Sequence, residues 1–415
     1  MILRRLASCI VLMVASALAA GCAIPPRGPA VPSSETVRAM PLGIPNARFF
    51  ADDDPAPMLA EAARALERER AALRAAGRPT EPMPPASFLA VSGGSDNGAF
   101  GAGLINGWTT TGTRPEFRIV TGVSTGALIA PFAYLGPDYD PALREIYTTI
   151  GPERVFLRRR LLAALFDDAM ADTSPLAETI ARYTDQAMFD AIAREYQRGR
   201  LLLISTTDLD AQRPVIWNVG AIAASRHPKS LDLFRKILLA SASIPGAFQP
   251  VLLDVEIDGA KFQEMHVDGG TIAQLFLYPA SIDPGLLAVE RPQTAFVIRN
   301  ARLDPEHAEI ERRTLTIAGR AISTMLAASG ANDVLRVYFL TKRDGVDYNL
   351  AYIGSDFKVP RDYPFDQAYM RALYDYGYQQ AIAGRAWHKT PPGLHTRRSG
   401  RQEAASVRPR PAPAR

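Results

Sequence analysis

The stretch Ile119-Val120-Thr121-Gly122-Val123-Ser124-Thr125-Gly126 constrains the fold more than any other part of the chain. It joins a β-branched run to the helix-forming Ala127-Leu128-Ile129-Ala130 through a serine flanked by glycines. A strand that passes straight into a helix must turn within a residue or two. That corner pushes the central side chain outward and leaves no room for Cβ atoms on either side, which accounts for Gly122 and Gly126. A second strand-to-helix passage precedes it. Ser87-Phe88-Leu89-Ala90-Val91 runs into Ser92-Gly93-Gly94-Ser95-Asp96-Asn97-Gly98, and a helical stretch follows through Trp108. This order predicts an α/β domain with a mostly parallel central sheet, active groups sitting at the C-terminal ends of the strands.

Helical stretches then dominate to about Gln197. Strands follow at Leu201–Thr206 and Val215–Asn218, a helix at Leu231–Ser241 and a strand at Val251–Ile257. Phe296–Arg299 and Val337–Leu340 read as later strands and Gln367–Gly384 as the final helix. Residues 22–85 are interrupted by Pro25-Pro26, Pro41, Pro45, Pro55 and Pro57 and read as a tether with one helix, Met58–Ala76, closed by Gly77. The apolar face of that helix is expected to pack on the edge of the domain, which spans 86–390. Residues 391–415, rich in Pro and Arg, read as a disordered tail.

The formal net charge is +4, yet the tail holds six arginines and one glutamate, so the rest of the chain sums to −1. The body therefore has no charge excess of the kind that binds nucleic acid. At the other end, Arg4-Arg5 precede an apolar run, Leu6–Ala20, which is short for a membrane span and reads as an export signal over residues 1–21. Leu18-Ala19-Ala20-Gly21-Cys22 resembles a bacterial lipobox, with Ala19 where leucine is usual. The resemblance implies a lipid on Cys22 as the first mature residue and, since Ala23 is not aspartate, an outer-membrane address; simple cleavage and secretion is the alternative. Cys9 and Cys22 are the only cysteines, so a mature chain acylated at Cys22 has no free thiol for catalysis or metal binding and no disulfide.

Acyl transfer needs a nucleophile, a proton acceptor and donors for an oxyanion. Ser124 suits the first role, and the Gly93–Gly98 loop, whose glycines let backbone N–H groups approach a ligand, suits the third. A phosphate-binding loop is a competing reading of that segment, but it lacks the Gly-Lys-Ser/Thr ending. Val267-Asp268-Gly269-Gly270 supplies a carboxylate in a tight turn far downstream. Glycine loop, Gly-x-Ser-x-Gly and Asp-Gly-Gly in this order resemble the patatin-like phospholipase family. Ala240-Ser241-Ala242-Ser243-Ile244-Pro245-Gly246-Ala247-Phe248-Gln249-Pro250 looks like that family's Ala-Ser-x-x-x-Pro-x-x-Phe-x-Pro stretch. Asp172-Thr173-Ser174-Pro175-Leu176 and Thr206-Thr207-Asp208-Leu209 are also familiar in position.

The resemblance covers roughly Ala86 to Gly384 and implies a three-layer α/β/α patatin-like fold. It implies a Ser-Asp dyad of Ser124 and Asp268, an oxyanion hole from Gly93, Gly94 and Ser95 with the Thr125 N–H as a further donor, no cofactor, and phospholipid or another fatty acyl ester at a membrane surface as substrate. This chain departs from the family loop Gly-Gly-Gly-x-Arg-Gly at Ser95 and Asn97, and Asn97 is given no chemical role.

An aspartate with a pKa of about 3.9 is a poor base towards serine, so a working dyad demands a desolvated Asp268. An ordinary Ser-His-Asp hydrolase would draw its base from His307 or His388, while His266 reads as structural. A non-catalytic lipid-binding protein is a third reading, supported only by the two loop departures. Arg154–Phe166 mixes arginines with large apolar residues and reads as a covering helix with a basic edge or as an interfacial lid. No motif with metal-ligand spacing is present.

Overall fold

The computed structural model of the chain describes residues 27–158 and 169–394. The export signal with Cys22, the arginine run at 159 and 160, His395 and the rest of the tail lie outside the described residues.

The first layer-forming elements are strand β1 (Arg48–Phe50), helix α1 (Ala56–Ala75), β2 (Ala86–Val91), α2 (Gly98–Thr110), β3 (Phe117–Val123), α3 (Thr125–Leu135) and α4 (Asp140–Thr149). A short antiparallel pair, β4 (Leu157–Arg158) with β5 (Ala171–Asp172), precedes α5 (Ser174–Tyr183) and α6 (Gln186–Gln197). The second half contains β6 (Leu201–Asp208), β7 (Arg213–Asn218), α7 (Val219–Ala224), α8 (Ser230–Ser241), β8 (Val251–Ile257) and β9 (Ala260–Asp268). It closes with β10 (Gln293–Arg299), α9 (Thr314–Arg343), β11 (Asp347–Tyr352) and α10 (Gln367–Ile382).

The main sheet runs β1-β7-β6-β3-β2-β10-β11, with β9 also pairing β6 and β8 pairing β9. From β6 to β11 the pairs are parallel, whereas β1, β7, β8 and β9 join antiparallel. Strand alternation sorts the core between two faces. Leu89, Val91, Leu202 and Ile204 point to the face covered by α2, α3, α8 and α10. Phe88, Ala90, Val297 and Leu350 point to the other, covered by Leu275, Leu277 and the second half of α9. The result is the expected three-layer α/β/α arrangement around a mostly parallel sheet.

Three differences from the sequence reading have clear physical causes. Val337–Leu340, expected as a strand, lies within the 30-residue helix α9. Its burial follows helical spacing: Val334, Val337, Tyr338 and Thr341 are buried, while Arg336, Phe339 and Lys342 are exposed, so the packing stripe overrides a β-branched and aromatic run. Strand β9 was read only as a turn at its end. It pairs with β8 across Asp258-Gly259, both at positive φ, a two-residue hairpin of the Asp-Gly type.

The third difference concerns the segment read as a tether. It enters the body well before residue 86: β1 pairs antiparallel with β7, Met40 bridges Glu256, and Val31, Ala39, Phe49 and Phe50 are buried. These apolar side chains have somewhere to go because β7 would otherwise be an open sheet edge. Its helix forms as expected, one to two residues early, and Gly77 closes it at φ +65°.

Candidate active site

The corner at Ser124 forms as its sequence requires. Ser124 has φ 54° and ψ −126°, a conformation disfavoured for a side-chain-bearing residue, held between the end of β3 and the start of α3. A Cβ on Gly126 would stand 2.2 Å from the Val91 carbonyl oxygen, and one on Gly122 would stand 2.5 Å from that of Gly126. Both glycines are thus demanded by close backbone approach. The Ser124 N–H donates to the Ser241 hydroxyl at 3.0 Å, and Ser241 donates in turn to the Ser205 carbonyl at 2.7 Å. The polar stretch around Ser241 therefore fixes the strained corner.

Asp268 ends β9, where the β6–β9 register sets it opposite Thr206, beyond the Val123–Ser205 pair that closes the β3–β6 ladder. Its N–H donates to the Ser243 carbonyl at 2.9 Å, and its side chain accepts the Gly270 N–H at 2.7 Å and a hydrogen bond from the Ser124 side chain. Burial pushes the carboxyl from its usual 3.8 up to about 7, and the bonds from Ser124 and Gly270 offset only part of that rise. The pair is thus a hydroxyl held by a desolvated carboxylate that titrates near neutrality, the condition under which an aspartate becomes an effective proton acceptor.

The glycine loop lies against this pair. A Cβ on Gly93 would be 3.2 Å from that of Ser124, and one on Gly94 would be 2.0 Å from the Asn300 carbonyl oxygen. Ser95, standing where the resembling family has a third glycine, takes φ 55°. One expected donor is otherwise engaged: the Gly93 N–H donates to the Gln274 carbonyl at 3.0 Å. Among the described residues the N–H groups of Gly94, Ser95 and Thr125 make no such bond, so these three remain for an oxyanion. Asn97 accepts the Tyr369 hydroxyl at 2.7 Å, and Asp96 pairs with Arg361 at 3.0 Å, which brings a cation to the loop from far along the chain.

Other supports escaped the sequence reading. Arg299 reaches the Ser92 hydroxyl and the Gly93 carbonyl, both at 3.3 Å, and burial draws its guanidinium down to about 10. Gln274 has its side-chain amide on the Gly270 carbonyl at 3.0 Å, and its side-chain oxygen borders Gly93. No local motif marks Gln274 or Arg299; both act through tertiary neighbours.

From Ser124 and Ser95 an apolar pocket of about 830 Å³, its open mouth included, runs between α3, α5 and α8, past Leu128, Phe132, Leu176, Ile180 and Phe248. Its lining is almost free of polar surface at depth, which suits an alkyl chain. Phe156 packs against Phe248 and Phe365 at one wall.

The histidines sit elsewhere. His307 is exposed in the loop before α9, and His388 is exposed with its backbone bridged to Leu350. His266 is buried, with Nδ1 at 2.9 Å from the Thr206 hydroxyl and Nε2 at 3.1 Å from Glu264. Asp208, Glu264 and His266 approach one another closely enough to suggest metal ligands. Arg48 from β1 already fills the place of a cation there, as a doubly bonded partner of Glu264. Burial would raise the Glu264 carboxyl, but the bonds from His266 and Arg48 prevail and hold it near about 2. The cluster is a buried ion-pair network tying β1 to β9.

The family model of patatin-like phospholipases matches residues 89–281, which hold the glycine loop, Ser124 and Asp268. The segment that carries the site is thus a patatin-like phospholipase domain. That match supports lipid acyl hydrolysis as the class of activity. Among solved structures it is similar to VipD from Legionella pneumophila, at 10% identity and a TM-score of 0.35 over 72% of this chain and 67% of that one. The type III effector protein ExoU follows at 14% identity and 0.30, covering 75% of this chain and 56% of that one. Human GIVD cytosolic phospholipase A2 is similar at 11% and 0.28, covering 68% and 52%. The chain thus spans little more than half of the latter two proteins. No curated protein matches the sequence.

Proposed function

We propose that this patatin-like protein is a serine lipid acyl hydrolase of the phospholipase A or lysophospholipase type, working through a Ser124–Asp268 dyad. The observation that carries the reading is the hydrogen bond between the Ser124 side chain and the buried Asp268 carboxylate, with Ser124 lining the apolar pocket. The alkyl chain of an ester lies in the pocket and its carbonyl carbon meets Ser124 Oγ. Asp268 takes the hydroxyl proton as the C–O bond forms. The tetrahedral oxyanion is received by the N–H groups of Gly94, Ser95 and Thr125, helped by the N-terminal end of α3. Collapse expels the alcohol, which carries away the proton from Asp268, and water activated by the same carboxylate then releases the fatty acid.

The decisive experiment is labelling with a fluorophosphonate probe, together with release of fatty acid from phospholipid and from p-nitrophenyl esters. Wild-type chain is expected to react; Ser124→Ala should neither label nor turn over, and Asp268→Asn should lose turnover. Full activity in either variant refutes the dyad. We also infer that Cys22 carries the lipid anchor of an outer-membrane lipoprotein, on the strength of the Leu18–Cys22 segment. A mature N-terminus other than acylated Cys22 in the mass spectrum refutes this.

A further inference from the structure

Helix α9 changes character along its length. Its second half packs Val334, Val337 and Tyr338 on the sheet, whereas its first turns stand clear of the body. From Thr314 to Ala328 this free part spans about 22 Å at the rise of an α-helix. At 100° per residue, Ile317, Ala321 and Met325 stack one above another with Ala318 and Ile322 alongside, forming an apolar arc. Thr316, Arg320, Ser323 and Thr324 form the opposite arc. The polar side is tied back, Arg320 to the Glu306 carbonyl and the Ser323 and Thr324 hydroxyls to helix carbonyls at 3.0 and 2.8 Å. The apolar arc is bare: Ile317 is 52%, Ile322 48% and Met325 69% exposed.

The root of this helix lies beside the active site. Gly330 abuts the Arg299 guanidinium, and Asp333 accepts the Gln274 N–H at 2.6 Å, next to Gly93 and Gly270. The free part therefore leaves the body on the side of Gln274 and Arg299, the residues that border the glycine loop. Ile272, two residues past Gly270, is also exposed, as is Leu157, next to Phe156 at the pocket wall. The free half carries one charged residue, Arg320, and Arg312 and Arg313 stand just before it, Arg313 paired with Glu311 at 3.2 Å. Among the described residues no helix is long and apolar enough to cross a membrane. An amphipathic helix of this kind lies along a lipid surface, with its apolar arc among acyl chains and the Arg312 guanidinium at its start within reach of phosphates.

We propose that the first half of α9, residues 314–328, docks the protein on an anionic lipid surface and presents the mouth of the Ser124 pocket to it. The presentation of substrate rests on the acyl-hydrolase reading; the docking requires no turnover.

The test uses the full chain with Cys22→Ser, so that no acyl anchor contributes, and vesicles of phosphatidylcholine with phosphatidylglycerol. In the combined variant Ile317→Ser, Ile322→Ser, Met325→Ser, vesicle affinity should fall at least about tenfold, from the apolar area no longer buried. Vesicle phospholipid hydrolysis should fall with it, while cleavage of soluble p-nitrophenyl butyrate and the mass by light scattering stay as in the parent. Unchanged vesicle affinity overturns the proposal. A parent dimer that the variant dissociates, with vesicle affinity unaltered, also overturns it and assigns the arc to a second copy. Loss of vesicle binding in chains that cleave no ester supports docking and instead removes the hydrolase reading.

Discussion

Replacing Asp268 by Asn should make the protein inactive and more stable, because the burial that raises the Asp268 carboxyl is a cost to the fold. Asn fits the site: its oxygen can accept the Gly270 N–H that Asp268 accepts at 2.7 Å, and its amide can donate to Ser124. The Asp268 carboxyl has a pKa of about 7 in the fold against 3.8 ordinarily. With its folded value raised, the native state binds the proton more tightly than the unfolded chain does. Below the unfolded pKa the group contributes no penalty; stability is lost as pH rises from there through about 7, and above that the full penalty applies. A rise of roughly 3 units at 1.36 kcal/mol each gives a penalty of about 4 kcal/mol at pH 8.

Asn does not titrate. Its advantage over wild type should therefore grow by about 3 kcal/mol between pH 5 and pH 8, most of it before the folded pKa is passed. Urea unfolding of both proteins at the two pH values measures this directly. Wild-type kcat/KM for a soluble ester should in parallel fall about tenfold per unit of pH below 7 and level off above it. A stability difference that does not change with pH, or an activity limb centred near 4, refutes the reasoning that Asp268 is a desolvated base.

Ser124→Gly should abolish ester hydrolysis yet raise unfolding free energy by about 1 kcal/mol, since it relieves the positive φ that Ser124 adopts; a destabilised variant contradicts the strain. Gly94→Ala should destabilise by more than about 2 kcal/mol and lose activity, because its Cβ would meet the Asn300 carbonyl oxygen at 2.0 Å; denaturant unfolding and ester assays check both. Gln274→Ala removes the bond to the Gly270 carbonyl and a wall of the Gly93 loop, and should lower kcat about tenfold with KM little changed. A change confined to KM argues that Gln274 does not position the dyad.

Much of the site was legible because its geometry is local. Gly122 is imposed by backbone contact within the corner itself and Gly126 by the end of the neighbouring strand β2, and Gly94 sits in a loop whose composition announces close approach. Asp268 was legible only through its company, since an Asp-Gly-Gly turn alone is ambiguous. What stayed hidden was the set of supports that arrive from elsewhere: the bond that Ser241, a residue of the family-like stretch, makes under the corner, Arg299 and Gln274 beside the loop, and Arg361 on Asp96. The engagement of the Gly93 N–H by Gln274 is of the same kind, a hydrogen bond to a residue far along the chain. Val337–Leu340 misled for a related reason, because a four-residue apolar run has no period of its own, and only the neighbouring buried positions Val334 and Thr341 reveal the helix.

The sequence by itself determined the strand-to-helix corners, the parallel core of the sheet and the identity of the candidate nucleophile, since each rests on steric demands within a few residues. The tertiary structure decided the chemistry of Asp268. Its carboxyl is pushed up to about 7 only because β9, β6, the Ser243 carbonyl and the Ser124 corner enclose it away from water, and desolvation is a property of everything packed around a group rather than of the group's own segment.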